Sequence, residues 1–315
     1  MSKDYFLVIR GGVNSTFQDL GRENLYHLGI PFSGAMDTRN FLIANKLAGN
    51  QTSDAVIEFA FQGPCLKYFG NKRNIVVTGD VSFKVIKEDE TEIQVKNYET
   101  IEIDNGDVVD IINTNNSVYG YLSSNGGFEI NKVWGSFSTT TRASVGPNMG
   151  KKLANNQKIF LNKSKKFSNR LLNYSNTRIE FIRVIEGTNF NYFSEESTKN
   201  FFSKEYLVTK LSDRMGMRLE GVRLKNIKNT NIKSEGLVKG TIQVPADGNP
   251  IILLSDHGTI GGYPKLGVVI SADYDRLVQI PPGSKIKFKN VKLKDAEILY
   301  KLYNIETNNI LNKIL

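Results

Sequence analysis

Between residues 212 and 265 the chain gathers the side chains best suited to work on an anionic substrate. Asp213, Arg214 and Arg218 place one carboxylate and two guanidinium forks within six residues. A planar fork matches the paired oxygens of a phosphate or carboxylate. In extended backbone Arg214 and Arg218 would point to the same side. The plainer alternative is a surface ion-pair network with Glu220. Glu235, Gln243 and Asp256 follow, beside runs that read as core-facing strands. A buried carboxylate is costly unless paired, so acids placed there suggest proton handling or ligand binding. Turn formation by Ser234-Glu235-Gly236 is the competing explanation. His257 has the intrinsic pKa of a general base near neutrality, although a histidine beside a turn more often only holds that turn together. Gly261, Gly262, Tyr263 and Lys265 offer backbone amides and a cation that could cradle an anion; an ordinary solvated loop is the alternative.

Arg22 and Ser33 stand out earlier in the chain as candidates for a substrate contact or an interface with another chain, whereas Asp37 is placed to cap a helix. Familiar nucleotide and nucleophile motifs are missing. The text nearest to a phosphate-binding loop, Gly146-Pro147-Asn148-Met149-Gly150-Lys151-Lys152, has three residues between its glycines and lacks the Ser or Thr that would hold magnesium. Neither a dinucleotide glycine fingerprint nor a nucleophile elbow is present, and Lys151 is not a biotin-attachment lysine. One cysteine, Cys65, and two histidines, His27 and His257, exclude an intrachain disulfide and a cysteine–histidine zinc cluster. No metal ligands are assigned.

A hydrophobic fraction of 40% and a charged fraction of 23% describe a globular chain. Much of the net charge of +9 comes from Lys151, Lys152, Lys158, Lys163, Lys165, Lys166 and Arg170, a stretch without acids that reads as a solvated connection. No nucleic-acid-binding motif accompanies it; a basic balance also suits small anions. The run Tyr5–Ile9 is too short for a signal peptide, and no apolar run reaches membrane-spanning length. A cytoplasmic protein is expected, with neither a membrane nor a nucleic acid as partner.

Short β-branched runs supply most of the regular structure. Asn74–Thr78 and Ser82–Ile86 flank Gly79-Asp80, a hairpin-type turn, and Thr100–Ile103 and Val108–Ile112 flank Asn105-Gly106. Leu277–Ile280 reads as a strand entering Pro281-Pro282-Gly283, which gives a weak echo of the segment around Gly106. Helices are expected over Thr38–Ala48, near Phe193–Asn200, and from Asp295 with Ile298, Leu302 and Ile305 at helical spacing. Tyr5, Phe17, Phe59, Phe61, Phe83 and Trp134 read as core aromatics. The expected division is an N-terminal β domain over 1–150, a basic connection over 151–175, and a C-terminal β domain with a terminal helix over 176–315.

Four glycine-rich segments carry a family resemblance: Gln18–Arg22 with Gly29–Asp37; Gly126–Phe128 with Gly135–Thr139 and Arg142-Ala143; Ser212–Gly221; and Ser234–Lys265. Together they closely resemble the KipA-like proteins, also called allophanate hydrolase subunit 2 or the biotin-dependent carboxyltransferase family, which includes the C-type chain (PxpC) of bacterial 5-oxoprolinase. The resemblance implies a mostly β fold of two cyclophilin-like β-barrel domains with a few short helices. It implies a subunit that uses ATP, with magnesium, to activate the lactam of 5-oxoproline for hydrolysis to glutamate. Two partners are implied with it, one KipI-like (B-type) and one LamB/YcsF-like (A-type). On this reading Asp213, Arg214, Glu235, Asp256 and His257 are catalytic. Arg22, Ser33, Arg218, Gln243, Gly261, Gly262, Tyr263 and Lys265 bind substrate or nucleotide. Arg214→Ala and Glu235→Ala are then expected to abolish turnover at a stability cost of about 1–2 kcal/mol. His257-Gly258-Thr259-Ile260 departs from the family pattern at Gly258 and Ile260, so nothing is carried over from those two. Two alternatives stay open: the carboxyltransferase part of a urea carboxylase or urea amidolyase, and a non-catalytic antagonist of a KipI-like kinase inhibitor.

Overall fold

The computed structural model describes residues 3–165, 168–176 and 179–314. The chain forms two compact units, Met1–Arg22 with Ser33–Asn176 and Thr307–Leu315, and Glu23–Phe32 with Thr177–Glu306. Both are built mainly from strands. Among the described residues the helices are α1 (Thr38–Leu47), α2 (Glu195–Ser203), α3 (Ser271–Val278) and α4 (Leu293–Asn312).

In the first unit two antiparallel sheets enclose one core. The six-stranded sheet runs Lys158–Phe160, Tyr5–Arg10, Cys65–Phe69, Val108–Thr114, Val81–Ile86, Glu92–Gln94; the five-stranded sheet runs Thr16–Gln18, Val56–Ala60, Tyr119–Ser124, Arg73–Thr78, Thr100–Ile103. Phe6, Val8, Leu66 and Val109 from one sheet meet Phe17, Ile57, Ile75 and Leu122 from the other, all essentially without solvent contact. The alternation of strand side chains sends one face of each sheet inward.

The two segments expected to be hairpins are sheet-switching corners instead. Arg73–Thr78 and Val81–Ile86 lie in different sheets, as do Thr100–Ile103 and Val108–Thr114. The glycines at both corners adopt left-handed backbone, φ 108° at Gly79 and 88° at Gly106. A turn signal reports the reversal but not which sheet the chain joins next, because that is decided by cross-strand partners distant in sequence.

Helix α1 forms as expected: the Asp37 carboxylate accepts the Asn40 amide at 3.0 Å, and Phe41, Ala44 and Leu47 are fully buried. The basic stretch is not a loose connection. Lys158–Phe160 pairs with Tyr5–Arg10, setting Ile159 opposite Phe6, and Leu153, Ile159, Leu161 and Leu172 are buried. Counting charge hid the alternation that makes this a strand. Lys166 lies outside the described residues.

The second unit is a barrel. Its eight-stranded sheet runs Lys285–Ile286, Tyr206–Val208, Gly216–Glu220, Ile251–Leu253, Thr241–Gln243, Lys265–Val269, Ile182–Glu186, Phe288–Asn290. The two edge strands are consecutive in the chain, separated only by Lys287, whose carbonyl accepts the Ile182 amide at 2.8 Å. A sheet whose first and last strands are chain neighbours must curl until its edges nearly meet. The stretch Leu277–Ile280 is not a strand: Leu277 and Val278 complete α3, where Ala272, Tyr274, Leu277 and Val278 are buried. Local β propensity loses there to a longer helical period that starts at Ser271. The echo with the Gly106 segment therefore holds only from the turn onward, where Gly283, like Gly106, is left-handed and Lys285–Ile286 and Phe288–Asn290 are strands.

Helix α4 forms over Asp295 as expected, with the residues read at helical spacing on its outer side. Ile298, Leu302 and Ile305 are about half exposed, and the packed side carries Ala296, Leu299 and Tyr303. Of the expected core aromatics, Phe17, Phe59 and Phe83 are buried, Tyr5 is intermediate, and Phe61 and Trp134 are exposed. Both exposed rings sit on left-handed backbone, φ 60° and 51°, as turn residues. Among the described residues no helix is long and apolar enough to cross a membrane.

Candidate functional site

In the first unit Arg22 and Ser33 belong to one buried polar network. Arg22 Nε donates to the Val133 carbonyl at 3.3 Å, Nη1 to Thr140 Oγ1 at 3.3 Å, and Nη2 to the Ser138 carbonyl. Thr140 Oγ1 donates to Ser33 Oγ at 2.9 Å. Beside them the buried Asp19 carboxylate accepts the amides of Gly21 and Phe137 and the hydroxyls of Ser136 and Ser138, at 2.5–2.9 Å. Gly34 lets the 33–35 loop approach closely, since a Cβ there would stand 3.0 Å from the Leu20 carbonyl. Asp19, Ser136, Ser138 and Thr140 were not among the expected site residues. The signal for them was the density of hydroxyls in Ser136-Phe137-Ser138-Thr139-Thr140.

The expected residues of the second unit separate into two groups joined by one short ladder. Glu235 pairs with Gly261 and Gly236 with Ile260, and the Leu237 amide donates to the Thr259 carbonyl at 3.0 Å. Beyond the ladder, Lys239 lies within electrostatic range of His257.

At one end Lys265 Nζ donates to Glu235 Oε2 at 2.8 Å. Lys265 is buried and Glu235 half exposed, so Glu235 is not the buried acid expected from the sequence. Gln243 is buried and donates to the Tyr263 carbonyl at 3.4 Å. Gly261 and Gly262 are required by packing: a Cβ would stand 2.8 Å from Leu237 Cδ1 at the first and 2.9 Å from the Ile232 carbonyl at the second. Close approach by protein atoms is thus one reason for glycine at both positions. Tyr263 is exposed.

At the other end Arg214 grips Asp256 through two bonds, Nε to Oδ2 at 2.9 Å and Nη2 to Oδ1 at 3.0 Å, with both side chains buried. This forked pairing is the strongest geometry available to the two groups. The alternative of an Arg214–Glu220 surface pair is replaced by it. His257 is buried, its Nδ1 2.6 Å from the Gly258 carbonyl and its Nε2 3.4 Å from the Tyr26 hydroxyl. A carbonyl only accepts, so Nδ1 carries the proton and the Nε2 lone pair faces Tyr26. Burial pushes the imidazole pKa below its usual value; the Gly258 carbonyl partly offsets this, Lys239 adds to it, and Asp256 opposes it. The ring is therefore neutral at pH 7. Burial likewise raises the Tyr26 phenol.

Asp213 and Arg218 do not join either group. Asp213 is exposed and its carboxylate accepts the Met215 and Gly216 amides at 2.9 and 3.1 Å, which makes it a turn former. Arg218 lies on the exposed face of Gly216–Glu220. The shared side expected for Arg214 and Arg218 is lost because Arg214 sits in the turn, outside the extended strand. Sequence reasoning passed over Lys239, whose neighbours become visible only once the ladder is formed. Among the described residues no cluster of three His, Cys, Asp or Glu could hold a metal ion.

A family model described as carboxyltransferase domain, subdomain A and B, matches residues 28–290, which takes in the ladder, both of its ends and most of both units. The chain belongs to that carboxyltransferase family. Among its relatives, the C subunit of Haemophilus influenzae 5-oxoprolinase is 31% identical over 296 residues, covering 94% of each chain. The corresponding C subunit of Escherichia coli 5-oxoprolinase is 30% identical and covers 92% of each. Urea amidolyase of Saccharomyces cerevisiae is 27% identical, with 91% of this chain matched to 17% of that protein. The solved Kluyveromyces lactis urea amidolyase superposes with a TM-score of 0.88 at 26% identity, over 100% of this chain and 21% of that one. The family therefore occurs both as a separate subunit of this length and as one part of much larger enzymes.

Proposed function

We propose that this chain is the C-type subunit of an ATP-dependent 5-oxoprolinase, which activates the lactam of 5-oxoproline for hydrolysis to glutamate together with a KipI-like and a LamB/YcsF-like subunit in the cytoplasm. The observation that carries the reading is similarity: the chain is 31% identical to a 5-oxoprolinase C subunit over 94% of both chains, against 27% for urea amidolyase.

A lactam is a poor electrophile, and a phosphoryl group transferred from ATP to its oxygen would make the ring carbon open to water. Magnesium would accompany the nucleotide phosphates. The chain's own residues supply the surroundings. Neutral His257, with its Nε2 lone pair held toward Tyr26, is the proton acceptor for the attacking water. Arg214, fixed by Asp256, stabilises charge developing on the substrate oxygen. Lys265, oriented by Glu235, and Gln243 belong to the other end of the ladder and are assigned to substrate or nucleotide binding. Arg22 and Ser33 hold the first unit's loops for substrate or for a neighbouring chain.

Co-expression with the two partner subunits, followed by measurement of glutamate released from 5-oxoproline, tests the reading. Glutamate should form only with ATP and all three chains. The likeness to urea amidolyase favours a second reading, a carboxyltransferase acting on urea. Biotin-dependent incorporation of bicarbonate in place of glutamate release would establish that one and end the first.

A further inference from the structure

Lys239 occupies a turn in which the Thr241 amide donates to the Val238 carbonyl at 3.1 Å, directly before the barrel strand Thr241–Gln243. The side chain is half-buried, with Nζ 4.2 Å from the centre of the Tyr274 ring. That ring is buried and tied by its hydroxyl to Ser255 Oγ at 3.2 Å. A cation on an aromatic face is held in place without being neutralised. Among the described residues no carboxylate lies within ion-pair distance of Lys239, and its ammonium makes no hydrogen bond to the chain. Asp275 is the acid within electrostatic range, and its carboxylate accepts the Tyr303 hydroxyl. Burial and the nearby Arg214 both lower the lysine's pKa, and Asp275 opposes them.

Lys265 provides the contrast. It is a lysine beside the same ladder, more deeply buried, and it has its carboxylate in Glu235. Lys239 has a desolvation cost without the compensating anion. Arg214, itself forked to Asp256, and the neutral His257 ring lie within its electrostatic range. We infer that Lys239, on its Tyr274 platform beside His257 and Arg214, is the anchor of a binding site for a small oxyanion, a carboxylate or a phosphoryl group. The site stands on this local geometry, and its test reads binding by the chain alone, so it can fail or succeed independently of lactam turnover.

Residue-resolved acylation of the full-length chain with acetic anhydride, read by peptide mass spectrometry, provides the first arm. Saturating inorganic phosphate or 5-oxoproline should slow labelling of Lys239 by about tenfold, as expected for a charge-assisted contact, while labelling of Lys265 stays unchanged. Protection by phosphate alone assigns the site to a phosphoryl group, and protection by 5-oxoproline alone to a carboxylate. In the second arm, calorimetric titration with the protecting anion should lose about tenfold in affinity for Lys239→Met and recover most of it for Lys239→Arg. Equal labelling with and without both anions, or unchanged affinity in Lys239→Met, would overturn the inference. Should Lys239→Met fail to fold, the acylation arm on the unsubstituted chain decides alone.

Discussion

Asp19 in the first unit and Asp256 in the second are equally buried, at 6% and 7% exposure, yet they are satisfied in opposite ways. Asp19 takes neutral donors, two amides and two hydroxyls, three of them from residues 136–138. Asp256 takes the guanidinium of Arg214 through a fork. The first arrangement spends a charge on fixing backbone. The second spends it on fixing another charge, and so keeps a cationic group in a buried position beside His257 and Lys239. Burial alone therefore does not mark a site; the kind of partner does.

Breaking the second arrangement should have the larger effect. Asp256→Ala leaves the Arg214 guanidinium buried without its forked partner, and loss of about 3–5 kcal/mol in denaturant unfolding is expected. Arg214→Ala should cost a similar amount. This revises the roughly 1–2 kcal/mol expected from sequence, which was the usual range for a single substitution. Replacing the pair together, Arg214→Met with Asp256→Leu, should recover much of the loss while abolishing glutamate release, because an apolar pair needs no partner. Asp19→Ala should come next, at about 3 kcal/mol, since several donors lose their acceptor at once. No single second substitution should rescue it. A cost for Asp19→Ala that exceeds the cost for Asp256→Ala would erase the distinction between the two acids.

Much of the fold was legible because it is written locally. Asp37 announced α1 by its cap, and β-branched runs announced the first unit's strands on either side of Gly79 and Gly106. The failures share one cause. Gly79 and Gly106 mark reversals, but the sheet joined afterwards depends on partners far along the chain. Leu277–Ile280 was cut from a period beginning at Ser271. At the site, Arg214, Asp256 and His257 could be found by residue type, whereas their pairing could not, since Arg214 and Asp256 are forty-two residues apart. Lys239 was invisible because its significance lies in what it lacks, an acid within ion-pair distance, and that is a property of three-dimensional neighbours.

The neutral state of His257 sharpens the comparison through pH. Its folded pKa lies below the unfolded value of about 6.5. The unfolded chain thus binds the proton first, and the histidine's contribution to stability is full above about pH 6.5 and is lost as pH falls toward the folded pKa. The thermal midpoint of the unsubstituted chain should decline between pH 7 and about 5.5, where most carboxylates remain ionised. His257→Gln should flatten that decline. Parallel curves for the two chains would place the imidazole in water-like surroundings and remove it as the proton acceptor.

The smallest effect on stability is expected at Arg218, and it isolates binding from folding. Arg218 and Arg214 are the same residue type four positions apart, but only Arg214 is buried and forked to an acid. Arg218 is exposed on its strand, so Arg218→Ala should change stability by no more than about 0.5 kcal/mol. An exposed guanidinium that meets substrate equally in the ground and transition states should, when removed, raise KM several-fold and leave kcat unchanged in the reconstituted assay. A kcat loss comparable to that of Arg214→Ala would move Arg218 into the reacting centre. Unchanged kinetics would return it to the solvated surface, leaving the buried pair and Lys239 as the cationic groups that matter.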